Sequence, residues 1–80
     1  MTLEVRIEQV EVAAVGEPRP DGLKMIVLGV TSSVDPDRVG ATFTVPTATS
    51  FKVTPGYVGT AFWMPGEQLP KLLLFPGKTP

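Results

Sequence analysis

The chain has 80 residues, with seven basic and eight acidic side chains and with neither cysteine nor histidine. Disulfides, thiolate metal clusters and histidine-based metal sites or general bases are therefore excluded. The formal charge is −1 and the basic residues are scattered singly, whereas a nucleic-acid surface needs a basic stripe. We predict one domain over residues 1–76, followed by a frayed tail at 77–80.

The N-terminal residues lack the uninterrupted apolar segment of a signal peptide. No stretch approaches the ~18–20 apolar residues that a transmembrane helix needs. We therefore expect a cytoplasmic or virion-associated location, with no membrane partner and no nucleic-acid partner.

Residues 2–15 fit two different elements. As a strand, Leu3, Val5 and Ile7 share one face, and a one-residue slip at Glu8-Gln9 indicates a β-bulge before the alternation resumes. As a helix, the apolar residues also recur at spacings of three and four. β-Branched residues are costly in helices and favoured in sheets, so the strand is preferred. The acidic residues of this region are then expected on the outer face, protecting an exposed edge: Glu4, Glu8, Glu11 and Glu17.

The densest apolar run covers residues 23–30 and predicts the central strand. One side of this strand would carry Leu23, Met25 and Val27. The other side would carry Ile26, Leu28 and Val30. A strand that is apolar on both sides is typical of one covered on both faces. Gly29 interrupts the run and indicates a bulge or a bend.

Four further strands are predicted at 41–45, 50–54, 57–64 and 71–75. Pro46 should end the first of them, because proline cannot donate to a ladder. In the second, Phe51 and Val53 should point inward. Residues 16–22 have the composition of a turn and separate the first predicted strand from the run at 23–30. Residues 35–40 do the same between that run and the strand at 41–45. The pattern predicts an all-β fold: a small five- to six-stranded antiparallel barrel or sandwich with short turns and little or no helix.

No sequence motif identifies a catalytic, phosphate-binding or metal-binding site. The sequence at 77–79 ends like a phosphate-binding loop but lacks the earlier glycine and the following helix. Asp35 and Asp37 have the spacing that opens a calcium loop, yet Val39 stands where a third ligand is required. Ser32-Ser33 has no histidine to activate it. We therefore predict no enzymatic activity, no cofactor and no metal site.

Three segments carry apolar residues on both faces, which is more than one small sheet can bury. This favours a non-enzymatic structural or assembly β-module. It would act as a homo-oligomer or as an accessory subunit of a larger protein assembly, such as a phage particle. The expected interface residues are Phe62, Trp63, Leu72, Leu74 and Phe75.

An alternative function is a β-barrel that sequesters a small ligand or nucleotide at a subunit interface. Aromatic side chains would stack on the ligand and cations would bind its anionic group. The expected contacts are Tyr57, Trp63, Lys24, Arg38 and Lys52.

Overall fold

The computed structural model describes residues 5–77, which form a five-stranded antiparallel sheet. The strands are β1 (Arg6–Val15), β2 (Leu23–Ser33), β3 (Thr42–Ala48), β4 (Val58–Trp63) and β5 (Lys71–Phe75), with a 3₁₀ helix at Pro36–Arg38. Their order is β3-β2-β1-β4-β5, and the sheet curls into a half-barrel with β3 and β5 at its edges. The predicted all-β fold with little helix is confirmed. Among residues 5–77, no helix has the length and apolar composition needed to cross a membrane.

The core lies on the concave face of the curled sheet. Its fully buried members are Val10, Val12, Ile26, Leu28, Val30, Val45, Val53 and Ala61. Inward residues of the edge strands, such as Phe43, Leu72 and Leu74, are partly buried against it. One face of the sheet, together with Val53 from the segment between β3 and β4, therefore supplies the core of the described residues.

The middle of the sheet is β1 rather than β2, because β1 pairs with both β2 and β4. The prediction of residues 23–30 as the central strand is therefore wrong, although β2 is paired along both edges. The outer side of β2 is not covered by any element in residues 5–77. Leu23 is exposed there, and Met25 and Val27 are half-buried.

Two bulges interrupt the pairing of β1 with β2. The partners of Val10 and Gln9 are Val30 and Ser32, so Thr31 is an extra residue in β2, and Ala13 is an extra residue in β1. The bulge predicted at Glu8-Gln9 thus has its extra residue in the neighbouring strand. The bulge suggested at Gly29 is absent, since Gly29 pairs regularly with β1 and β3.

In β1 the inward alternation starts at Glu8 and continues without a slip through Val10 and Val12. Ile7 points outward and is 47% exposed, whereas Glu8 is 1% exposed. The predicted placement of Ile7 on the apolar face and of Glu8 on the outer face is wrong. Glu11 and Glu17 are exposed as expected, while Glu4 lies outside the described residues. The expected edge protection is wrong, because β1 is paired with a strand on both sides.

Residues 50–54 do not form the predicted strand, although Val53 is buried as expected. Side chains take the backbone carbonyls that a ladder would use: the ammonium of Lys24 donates to the Phe51 carbonyl at 2.6 Å, and the Tyr57 hydroxyl donates to the Lys52 carbonyl at 2.9 Å. Phe51 is left 37% exposed. The segment is a loop folded across one end of the half-barrel.

β3 continues through Pro46 to Ala48 instead of ending at the proline. Proline is tolerated there because β3 is an edge strand, whose free side needs no N–H donor. Of the tail predicted at 77–80, Gly77 lies close to the Gly56 carbonyl, and 78–80 lie outside the described residues.

β4 and β5 approach closely at Gly59. A Cβ added at this glycine would collide with the Leu73 carbonyl, whereas one added at Gly29 would meet no atom within 4 Å. Neither glycine has a positive φ. The two positions therefore differ in space and not in backbone conformation.

We expect Gly59→Ala to destabilise the fold by roughly 1–3 kcal/mol, because the added methyl forces β5 away from β4. Gly29→Ala is the matched control and should be neutral or stabilising by up to about 1 kcal/mol. Urea unfolding of both variants measures the difference. Equal stability of the two would contradict the close approach of β4 and β5.

Candidate functional site

A buried carboxylate lies at one end of the half-barrel. Glu8 points into the concave face from the start of β1, and none of its side chain is exposed. Burying an ionised carboxylate is costly unless it is paired and hydrogen-bonded. The surroundings of Glu8 supply both requirements.

Three side chains donate hydrogen bonds to the Glu8 carboxylate. Arg38 donates from Nε to Oε2 at 3.0 Å and from Nη2 to Oε1 at 3.1 Å, the bidentate arrangement of a strong ion pair. Ser33 Oγ donates to Oε2 at 2.9 Å, and Trp63 Nε1 donates to Oε1 at 2.8 Å. Arg6 Nε lies 3.5 Å from Oε2 as a second cation. We call these five residues the Glu8 cluster.

The local structure of each element positions the side chains that donate to the Glu8 carboxylate. The extra residue Thr31 shifts the phase of β2, so that Ser33 rather than Ser32 shares the inward face with Glu8. Asp35 caps the 3₁₀ helix by accepting from the Asp37 backbone N–H at 3.0 Å. This cap fixes the turn from which Arg38 reaches back to β1. The cluster thus connects β1, β2, β4 and the 3₁₀ helix.

The indole of Trp63 is held on several sides. The guanidinium carbons of Arg6 and Arg38 lie 5.1 and 5.6 Å from the ring centroid, within cation–π range. Phe43 makes an edge contact with a centroid separation of 5.1 Å. Because Trp63 also donates to Glu8, its ring is locked in one orientation.

The electrostatics keep Glu8 ionised. Burial acts to raise the pKa of this carboxyl, but the hydrogen bonds from Arg38, Ser33 and Trp63 and the charge of Arg38 together hold its pKa below the ordinary value. The same ion pair raises the pKa of Arg38. The carboxylate oxygens are occupied by donors and shielded from solvent, which suits a group that fixes strand ends.

A second feature is the outer face of β1, β4 and β5. Because Val10, Ala61 and Leu72 face the core, their neighbours in each strand face outward. Strand pairing arranges the outward residues as three rows of three. The rows are Ile7–Phe62–Lys71, Gln9–Thr60–Leu73 and Glu11–Val58–Phe75. We call these nine residues the outer grid.

Five of the nine residues of the outer grid are apolar, and four of these five are exposed. Ile7, Val58, Leu73 and Phe75 are 47, 41, 55 and 57% exposed. At its centre Thr60 Oγ1 donates to Gln9 Oε1 at 3.3 Å, so the two polar side chains partner each other. Within the nine residues, the charged ones are Glu11 and Lys71.

An apolar groove of about 260 Å³ separates the two edge strands. Val45 and Pro46 line it from β3, Leu72 and Leu74 from β5, and Phe51 from the loop. The groove is the mouth of the half-barrel, left open because β3 and β5 do not pair with each other.

The five expected interface residues do not share one surface. Phe62 and Phe75 belong to the outer grid, Leu72 and Leu74 line the groove, and Trp63 lies in the Glu8 cluster. The alternation within β4 and β5 divides them, because successive side chains point to opposite faces.

The five expected ligand contacts fall into two groups at opposite ends of the sheet. Trp63 and Arg38 belong to the Glu8 cluster, near the start of β1. Lys24, Lys52 and Tyr57 surround the loop near the end of β1, where the ammonium of Lys24 is buried against backbone carbonyls. The structure does not bring the two groups together.

The central role of Glu8 was missed from the sequence. Unbroken alternation with Val10 and Val12 places Glu8 inside, whereas the slip predicted at Glu8-Gln9 placed it on the outer face. A signal was nevertheless present, because a buried tryptophan N–H usually needs an acceptor. The chain offers one tryptophan, and Glu8 alternates with Val10 and Val12.

A scan against protein-family models, a search of curated proteins and a search of solved structures each find no match. Function is therefore inferred from the chain's own geometry.

We expect Glu8→Gln to lower the free energy of unfolding by roughly 3 kcal/mol, because it leaves Arg38 without its buried counter-charge. Glu17→Gln removes an exposed carboxylate outside the sheet and should change stability by less than about 0.5 kcal/mol. Urea unfolding followed by the fluorescence of Trp63 measures both. Equal stability of the two variants would show that the cluster does not hold the fold together.

We expect the stabilisation from Glu8 to depend on pH. The folded-state pKa lies below the ordinary value of 4.5, so the contribution is fully present above that value and is lost as the pH falls towards the folded-state pKa. The stability difference between the wild type and Glu8→Gln should therefore be constant near neutrality and shrink below pH about 4.5. A difference that grows on acidification would contradict the assignment.

Proposed function

We propose that this protein is a non-enzymatic assembly module that associates with protein surfaces through the outer grid. The main evidence is that Leu73 and Phe75 are each more than half exposed on a sheet face that no element in residues 5–77 covers. Contiguous apolar patches of this kind mark interaction sites. Aromatic anchors such as Phe62 and Phe75 are enriched in buried interfaces.

The energetics support association. Removing apolar surface from water contributes roughly 25 cal/mol per Å², or about 1.5–3 kcal/mol for each large side chain fully buried. The four most exposed apolar residues of the grid each retain at least two fifths of their surface in contact with solvent. Because each is only about half exposed, covering all four would stabilise a complex by about two such increments per copy, before the cost of association.

The Glu8 cluster contributes rigidity to this surface. It fixes β1 against β4, the two strands that carry six of the nine grid positions. A preformed surface loses less conformational entropy on binding than a flexible one. A network that holds strand ends in register therefore favours association.

The proposal includes an accessory role in a larger assembly such as a phage particle. In such an assembly, neighbouring subunits would cover apolar sheet faces.

We expect the wild-type chain to self-associate between low and high micromolar concentrations. Leu73→Lys should raise the dissociation constant at least about ten-fold, since a buried leucine contributes about 1.5–3 kcal/mol and 1.4 kcal/mol is ten-fold. Sedimentation velocity over a concentration series measures this.

Val34→Lys is the control, because Val34 is an apolar residue 84% exposed in a loop outside the grid. It adds the same charge and should leave association unchanged. A wild-type chain that is monomeric at every concentration would contradict the proposal, as would equal effects of the two substitutions.

A further inference from the structure

We infer that the partner of the outer grid is a second copy of this chain, packed face to face with its strands near a right angle to the first. This inference rests on the proposed function of the outer grid. The evidence for it is the positions of the two charged residues of the grid, Glu11 and Lys71.

The two charges occupy opposite corners of the grid. Glu11 shares a row with Val58 and Phe75, and Lys71 shares a row with Phe62 and Ile7. Both charged side chains are exposed. The other two corners, Ile7 and Phe75, are apolar.

A symmetric dimer places one grid over the other by a two-fold axis lying between the two faces. An axis parallel to the strands would set Glu11 against the Phe75 of the second copy and Lys71 against Ile7. An axis across the strands would set Glu11 against Ile7 and Lys71 against Phe75. Both arrangements leave charges against apolar side chains, which is costly.

An axis along the Glu11–Lys71 diagonal would set each charge against its own copy, so like charges would meet. The axis along the remaining diagonal, from Ile7 to Phe75, sets Glu11 over Lys71 of the second copy, and Lys71 over Glu11. This is the one simple two-fold arrangement of the grid in which both charges are neutralised by opposite charges.

The same axis matches four of the five apolar residues, and the fifth, Phe62, lies over Gln9 of the second copy. Phe75 lies over Phe75, Ile7 lies over Ile7, and Leu73 lies over Val58 of the second copy. At the centre, Thr60 lies over Thr60 of the second copy, and each already donates to Gln9 of its own chain. With the two-fold axis along a diagonal, the strands of one copy cross those of the other at close to a right angle. Such orthogonal packing is one of the two common ways for sheets to pack.

Charge exchange between variants tests the arrangement. Glu11→Lys alone turns both symmetric pairs into lysine–lysine pairs, and Lys71→Glu alone turns both into glutamate–glutamate pairs. Each should weaken the homodimer by about ten-fold, since two attractive rim pairs become repulsive. An equimolar mixture of the two variants should recover wild-type affinity, because every pair in the mixed dimer is again of opposite sign.

With one variant isotopically labelled, native mass spectrometry distinguishes the mixed dimer from the two homodimers. The double variant Glu11→Lys with Lys71→Glu should also recover a homodimer. Glu67→Lys, in a loop outside the grid, is the control for net charge and should leave the dimer unchanged. Circular dichroism confirms that each variant is folded.

The outcomes separate the two proposals. If the wild type self-associates and Leu73→Lys disrupts it, but the mixture gives no more dimer than the separate variants, this arrangement is overturned and the proposed function stands. If the wild type does not self-associate, both are overturned. If charge reversal weakens the dimer and mixing restores it, the diagonal packing is established.

Discussion

A curled sheet can bury only one of its faces within itself. In this protein the concave face of the half-barrel holds the core, with Val10, Leu28 and Ala61 almost completely removed from solvent. No element in the described residues folds over the convex face of the same strands, which leaves Leu73 and Phe75 more than half exposed. The uncovered convex face is the basis of the proposed function.

Val10 and Val12 fix which face of β1 is buried, and the Glu8 cluster stabilises the carboxylate that this phase places inside. Alternation in β1 could in principle bury either Ile7 or Glu8, since a shift of one residue exchanges the two faces. The bidentate bond to Arg38, with the donors from Ser33 and Trp63, stabilises the phase with Glu8 inside. The consequence of this phase is that Ile7 is exposed at a corner of the outer grid.

The two edge strands limit how the molecule can associate. β3 and β5 both leave backbone donors and acceptors unpaired on one side, and Pro46, Pro70 and Pro76 lie in or beside these edges. Prolines on edge strands hinder pairing with another sheet. Packing through the outer grid requires no free edge, and it leaves the groove between β3 and β5 open. Face-to-face association is therefore favoured over strand addition.

Sequence alone was enough to predict an all-β fold, the absence of thiol and histidine chemistry, and the bounds of β5. These properties follow from composition and from local alternation, which depend on neighbouring residues in the chain. The sheet order, the interior position of Glu8 and the division of the aromatic residues between two faces depended on the tertiary structure. The physical reason is strand pairing: the regular register of β1 against β4 keeps Glu8 in phase with the buried Val10 and Val12, and the extra residue Thr31 in β2 turns Ser33 towards it, which local sequence does not show.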